Sequence, residues 1–137
     1  MKNKLDNRGV TLVEVMISLV ILLIVFMGLI QASLLSIDHN LRNEVRDEGV
    51  RIASEYMTVT KSTFWGSVAD TAGTPVPFPG TPTVVRSFRN WSSFPYRVQR
   101  LVRDLGVEDK EIRITVLWNY RDDSDISHTI FSTMRNK

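Results

Sequence analysis

The chain has 137 residues, a formal net charge of +2 and no cysteine. This length suits one domain with an appended segment, and the missing cysteines exclude disulfides, thiolate metal sites and cysteine nucleophiles. Residues 1–8 carry the whole net charge, since the rest of the chain holds 14 basic and 14 acidic residues. The overall charge therefore gives no support for a nucleic-acid-binding protein.

A long apolar run follows this short basic start. From Val15 to Ile30 only one serine and one glycine interrupt strongly apolar residues. A secretory signal peptide would have a shorter apolar core closed by a small-residue cleavage site, and a soluble core helix is the other alternative. The length of the run predicts a membrane span. The basic flank predicts a cytoplasmic N-terminus, with everything after about Ile37 outside the cytoplasm.

Glu14 is a carboxylate near the start of this run. A charged group costs about 2.5–3.5 kcal/mol at the centre of a membrane helix on insertion scales, and less near its end. One interpretation is that Glu14 lies among the headgroups at little cost. The other is that it has a partner, as such residues usually do.

The sequence GVTLVE at residues 9–14 resembles the processing site of type IV pilins and type II secretion pseudopilins. In that family a basic leader ends in glycine, and the prepilin peptidase cuts after it on the cytoplasmic face. The resemblance implies cleavage between Gly9 and Val10 and N-methylation of Val10. Phenylalanine is commonest at the new N-terminus, so Val10 departs from the usual residue while remaining apolar.

The resemblance also implies an assembly role for Glu14, and no catalytic one. Cleavage would create an α-amino group, whose reference pKa of about 7.7–8.0 leaves it largely protonated at neutral pH. Glu14 lies four residues from Val10, over the same helix face and near the positive end of the helix dipole. In the family, this carboxylate is thought to neutralise the ammonium of a neighbouring subunit during filament assembly.

The helix is predicted to continue beyond the membrane as an amphipathic half. Apolar residues recur at three and four positions from Leu34 to Tyr56, with charged residues opposite, and this period is typical of a helix with one packed face. The predicted helix runs from Val10 to about Thr60. Gly28 and Gly49 are either bends or tolerated at about 1 kcal/mol each.

The remaining residues predict a loop followed by a sheet. Four prolines and three glycines from Gly66 to Pro82 exclude a regular helix or central strand there. Residues 112–120 alternate apolar and polar side chains, Asp-rich residues 121–125 indicate a turn, and residues 126–134 predict a second strand of a hairpin. Phe94–Val102 is a third predicted strand and Val84–Phe88 a fourth, with the inward face packing on the Leu41–Tyr56 stripe.

The predicted fold is therefore α+β and pilin-like, with one long N-terminal helix packed on a small antiparallel sheet. The predicted divisions are a leader at 1–9, a membrane or filament-core half-helix at 10–36, an amphipathic half-helix at 37–60, a variable loop region at 61–93 and a sheet head at 94–137. The sequences ITVLW at residues 114–118 and HTIFST at residues 128–133 are similar to the C-terminal hairpin of PilV-type minor pilins and of minor pseudopilin I of type II secretion. This similarity favours a minor subunit.

Other candidate sites are weaker. Asp122, Asp123 and Asp125 lack the further oxygen ligands that a calcium cage needs, and His39 and His128 are single and far apart. No metal or cofactor is expected, and nothing resembles a nucleophile elbow or triad. The chain is thus not expected to be an enzyme.

An arginine-rich stretch with interleaved aromatic residues could hold single-stranded nucleic acid. The favoured interpretation is a strand with aromatics inward and arginines outward or bonded to acids of neighbouring subunits. Nucleic acid is therefore not an expected partner. The arginines are Arg86, Arg89, Arg97, Arg100 and Arg103.

The sequence thus predicts a prepilin held in the inner membrane with its head outside, which joins a type IV pilus-like filament and primes, modifies or tips it. The expected partners are other pilin or pseudopilin subunits, the prepilin peptidase and membrane lipid. Two alternatives stay open: a single-pass anchored receptor or adhesive domain, and a DNA-capturing competence pseudopilin. The sequence does not distinguish a pilus from a secretion pseudopilus or competence filament.

Overall fold

The computed structural model of the chain describes residues 11–88 and 91–136. It has an α+β architecture in which one long helix precedes a small antiparallel sheet, as the sequence predicts. In chain order the elements are α1 Leu12–Ser62, a 3-10 turn Trp65–Ser67, and strands β1 Val76–Pro77, β2 Thr83–Phe88, β3 Trp91–Asp104, β4 Asp109–Tyr120 and β5 Asp123–Arg135.

Helix α1 has 51 residues, close to the predicted length, but it lies about two residues later in the chain. The prediction placed its start at Val10, which is outside the described residues, and its end near Thr60. Thr11 is not helical, and its hydroxyl caps the helix by accepting a hydrogen bond from the Glu14 amide at 3.3 Å. A threonine in this position satisfies one of the free N–H groups at a helix start.

The chain divides within α1 into two units, Met1–Leu41 and Arg42–Lys137. The described part of the first unit is helical from Leu12 onward. From Leu12 to Ile37 every large apolar side chain has more than half of its surface exposed. The second unit holds the rest of α1 and the whole sheet, and it contains the apolar core.

The sheet of the second unit is antiparallel throughout. β1 and β2 both pair with β3, β3 pairs with β4, and β4 pairs with β5. The four predicted strands are all present, and β3 and β4 extend beyond their predicted ends. The proline-rich stretch Gly66–Pro82 contains the end of the 3-10 turn and one strand, β1, which lies at an edge of the sheet.

The core forms between one face of the sheet and the second half of α1. The predicted alternation is confirmed, since Ile112 and every second residue up to Tyr120 are buried. The buried hydroxyl of Tyr96 on β3 donates a hydrogen bond to the Val45 carbonyl of α1 at 2.8 Å. Of the predicted helix stripe, Val45, Gly49, Ile52, Ala53 and Met57 are buried and Tyr56 is half-buried, and Thr60 beyond the stripe is buried as well.

The β4–β5 connection is tighter than the five-residue turn that the sequence predicts. Tyr120 pairs with Asp123, so the turn itself is two residues long. The register shifts between Trp118 and Tyr120, and Asp125 has a φ of 56°. The Asn119 side chain stabilises this bulge by accepting a hydrogen bond from the Asp125 amide at 3.0 Å. The aspartates thus lie in a short turn and in the bulge that follows it along the chain.

Candidate functional site

The first turn of α1 positions Glu14. Thr11 is the N-cap, so Glu14 is the third residue of the helix, where a carboxylate interacts favourably with the positive end of the helix dipole. The spacing Thr11-x-x-Glu14 is that of a capping box. The capping role of Thr11 was missed in the sequence interpretation, although the capping-box signature was present.

The predicted processing residues Gly9 and Val10 lie outside the described residues, as does the leader. Glu14 is exposed. Within residues 11–88 and 91–136, no basic side chain forms an ion pair with its carboxylate. The carboxylate is therefore accessible to a cation from outside this part of the chain.

The helix that follows Glu14 is apolar and long enough to cross a membrane. Its most apolar stretch of 18 residues has a mean hydropathy of 2.9, and none of that stretch is buried by the protein. Its hydroxyl groups bond to its own backbone: Ser18 donates to the Glu14 carbonyl at 2.8 Å, and Ser33 to the Leu29 carbonyl at 2.9 Å. These bonds reduce the cost of placing hydroxyls in lipid. The segment is a transmembrane helix by length and composition.

In the second unit, an ion-pair cluster joins α1 to the sheet. Arg86 of β2 donates to Glu48 at 2.8 Å and to Glu55 at 3.1 Å. Arg51 donates a second pair of bonds to Glu48, at 2.8 and 2.6 Å. These bonds from Arg51, and then those from Arg86, hold the pKa of Glu48 below its usual value although burial acts to raise it. The cluster fixes the sheet on the helix.

The arginine-rich stretch does not form one basic face. Arg86 and Arg100 point toward the helix side of the sheet, whereas Arg97 and Arg103 lie on the opposite face. Arg97 forms an ion pair with Asp125, and Arg100 packs its guanidinium 5.8 Å from the Phe78 ring centre. Partial burial lowers the pKa of Arg100.

The favoured interpretation of that stretch is thus only partly right. The aromatic residues Phe94 and Tyr96 are inward as expected, but so are two of the arginines. Arg86 bonds to acids of its own chain, which lie 31 and 38 residues away in sequence. Arg89 lies outside the described residues. The arginines of this stretch that the structure describes are thus divided between the two faces of the sheet.

The aspartates of the β4–β5 turn form ion pairs with arginines. Asp123 pairs with Arg42 of α1 and Asp125 with Arg97. Across residues 11–88 and 91–136, no group of three or more histidine or acidic side chains is placed to hold a metal ion. His128 lies in β5, paired with Val116 of β4.

One buried charged residue was missed by the sequence interpretation. Lys110 is only 6% exposed, and its amine donates to the Val68 carbonyl at 2.5 Å. The amine also lies 4.1 Å from the Trp65 ring centre. Lys110 is two residues before Ile112, so the period of the strand could have placed it on the inner face. These contacts hold the segment after α1 against the sheet.

Comparison with known families identifies the N-terminal segment. Residues 4–30 match the family described as the prokaryotic N-terminal methylation motif, which is the class III signal of type IV pilins. The resemblance to type IV pilins is thereby confirmed for this part of the chain, and the PilV-type similarity remains a prediction. No curated protein and no solved structure matches the chain. The pilin-motif family is structural and not enzymatic.

Proposed function

We propose that this chain, which carries the class III signal of type IV pilins, is a prepilin processed to a minor pilin or pseudopilin. The observation that carries the proposal is that three features occur together in the same stretch of the chain. The methylation motif at residues 4–30 contains Glu14, and Glu14 is the third residue of α1. Exposed apolar side chains of the same helix precede and follow Glu14 in sequence, from Leu12 to Ile37.

This exposed apolar surface extends along the helix from Leu12 to Ile37. More than half of each large apolar side chain between Leu12 and Ile37 is exposed in the chain by itself. So large an apolar surface needs a cover, because exposed apolar patches of this extent mark a membrane or a protein partner. In our proposal the cover is lipid before assembly and the helices of neighbouring subunits afterwards.

Processing would take place at the cytoplasmic face. The prepilin peptidase would cut between Gly9 and Val10, and Val10 would be N-methylated. The basic residues of 1–8 would hold the N-terminus in the cytoplasm, so that the head, Arg42–Lys137, would lie on the other side of the inner membrane and later in the filament.

Glu14 would select the position of the subunit during assembly. Its carboxylate is exposed and has no basic partner within residues 11–88 and 91–136. The ammonium of a neighbouring subunit is a suitable partner, because a charge pair in lipid costs less than two separate charges. Only one axial step between subunits would bring the two groups together.

The small head supports a minor, structural role in priming, modifying or tipping the filament. Its core is a single helix–sheet layer, and residues 66–82, which carry four prolines, contain the end of the 3-10 turn and the two-residue strand β1. The hairpin similarity to PilV-type minor pilins points the same way. No enzymatic activity is part of the proposal.

The test is incorporation into filaments of the host. Glu14→Ala and Glu14→Gln are compared with Glu44→Ala, which removes another exposed helix acid in the second unit. We expect both Glu14 variants to accumulate in membranes and to be depleted about tenfold or more from sheared filaments, while Glu44→Ala enters normally. Equal incorporation of all three variants would contradict the assembly role.

A further inference from the structure

Strand β5 (Asp123–Arg135) forms one edge of the sheet. It pairs with β4 and, among the strands that the structure describes, with no other. Residues 126–134 contain no acidic residue, no lysine or arginine and no proline. Natural proteins usually protect a long edge strand with charges, prolines or bulges, because its free backbone groups can pair with another chain. Residues 126–134 carry none of these protections themselves, and the nearby Lys61 of α1 donates to the Ser132 hydroxyl at 2.9 Å on the helix side of the sheet.

The opposite edge of the sheet is protected in the usual ways. β1 has two residues and ends in Pro77, and β2 has six residues and follows Pro82. The β2–β3 register is irregular between Arg86 and Phe88. Short length, proline and irregular pairing all hinder strand addition. The contrast distinguishes β5 as the edge that is open to a partner.

The hydrogen-bond pattern shows which backbone groups of β5 are not used by β4. The Asn136 amide donates to the Glu108 carbonyl at 2.8 Å, and the register continues from the Asp109–Arg135 pair to the Trp118–Ile126 pair. Bonded and non-bonded pairs alternate along an antiparallel ladder. The even-numbered residues of β5 therefore bond to β4. The residues that direct both N–H and C=O to the outer edge are Ser127, Thr129, Phe131 and Thr133.

The side chains of β5 limit which strands can pair with this edge. Phe131 is 78% exposed on the face of the sheet away from α1. Asp123 and Asp125 begin the strand and Arg135 ends it. Asp125 and Arg135 form ion pairs within the chain, yet their side chains remain 65% and 70% exposed. An antiparallel partner fits these ends best if it too starts acidic and ends basic.

We propose that β5 is a strand-addition site for the β5 strand of a second copy of this chain, paired in antiparallel orientation. The β5 strand of a second copy has the required order, with acidic residues at its start, an uncharged middle and a basic residue at its end. Main-chain hydrogen bonds supply affinity in this mode of recognition, and side chains supply specificity. The inference concerns the head alone and does not depend on cleavage at Gly9 or on Glu14.

The probe is a fluorescent peptide with the sequence of residues 123–135, because its charges have the required order. Binding to the full chain in detergent is measured by fluorescence anisotropy. Thr133→Pro removes an N–H that faces the outer edge, and Phe131→Lys replaces the exposed ring by a charge. Val107→Lys is the matched control, since Val107 is 90% exposed but lies between β3 and β4.

We expect saturable binding that is about tenfold weaker in Phe131→Lys and in Thr133→Pro and unchanged in Val107→Lys. Circular dichroism checks that each variant is folded, and Phe131→Lys alone suffices if the proline variant is not. No binding at about 1 mM peptide, or equal binding to all variants, would overturn the proposal. Analytical ultracentrifugation of the full chain in detergent should show a dimer that is lost in Phe131→Lys. A full chain that binds the peptide but stays monomeric would replace the second copy by a strand of another protein.

Discussion

Gly49 provides a test of the packing between α1 and the sheet. A Cβ atom added there would lie 2.8 Å from Cζ3 of Trp118, 3.1 Å from Cη2 and 3.3 Å from Cε3. The ring cannot move away easily, because Trp118 is 3% exposed and its ring centre is 5.8 Å from that of Tyr96. Gly49→Ala therefore forces the helix and the sheet apart.

Two effects of opposite sign compete in this substitution. Alanine gains about 1 kcal/mol over glycine in a helix interior, whereas an overpacked core typically loses about 1–3 kcal/mol. We expect packing to win, with a net loss of about 1 kcal/mol. In a domain of this size that lowers the melting temperature by about 4–8 °C. Thermal unfolding of the full chain in detergent, followed by circular dichroism, measures the shift.

Trp118→Leu supplies the decisive background, because it removes the ring that alanine would meet. There Gly49→Ala should raise the melting temperature, since only the helix preference remains. Gly106→Ala is a control with no atom within 4 Å of the added Cβ, and it should change little. A stabilising Gly49→Ala in the natural background, or the same shift in both backgrounds, would refute the packing argument.

Two further predictions concern hydrogen bonds between α1 and the sheet. Tyr96→Phe removes the bond to the Val45 carbonyl and should cost about 1 kcal/mol in urea unfolding. Burial raises the pKa of Tyr96. The contribution of the neutral phenol to the free energy of unfolding is therefore present below about pH 10 and lost above it. Tyr96→Phe should make the decline in stability at alkaline pH less steep. Bonds from Arg51 and Arg86 lower the pKa of Glu48. The contribution of its carboxylate to the free energy of unfolding is therefore present above the usual glutamate pKa of 4.5 and lost as the pH falls. Glu48→Gln should make stability depend less steeply on acid pH.

Unfolding free energies measured across pH check both signs. Alkaline stability that declines as steeply in Tyr96→Phe as in the natural chain would argue against a buried neutral phenol. For Glu48, an unchanged acid slope in Glu48→Gln would mean that other carboxyl groups determine the acid sensitivity of the head.

Much of the fold was predictable because its signals are local. The alternation from Ile112 to Tyr120 and the helical stripe from Val45 onward each follow from the period of one element. The Thr11–Glu14 cap was equally readable from its spacing. Prolines between Gly66 and Pro82 correctly excluded a central strand.

What the sequence did not predict depends on contacts between distant elements. Gly49 was interpreted as a bend or a tolerated residue. A glycine fits there because a Cβ atom would meet the Trp118 ring of β4, a contact between distant elements that the sequence does not reveal. Arg86 was expected to point outward, but its partners Glu48 and Glu55 are on α1. The β4–β5 turn was predicted too long, since a bulge held by Asn119 absorbs the extra residues.

The most direct test of the proposed function is mass spectrometry of the N-terminal peptide. The protein is expressed in its own host and recovered from membranes and from sheared filaments. The account predicts a chain that starts at N-methylated Val10 in the filament fraction. A chain that still starts at Met1, is found in membranes and is absent from filaments would contradict it and would support an anchored protein that never polymerises.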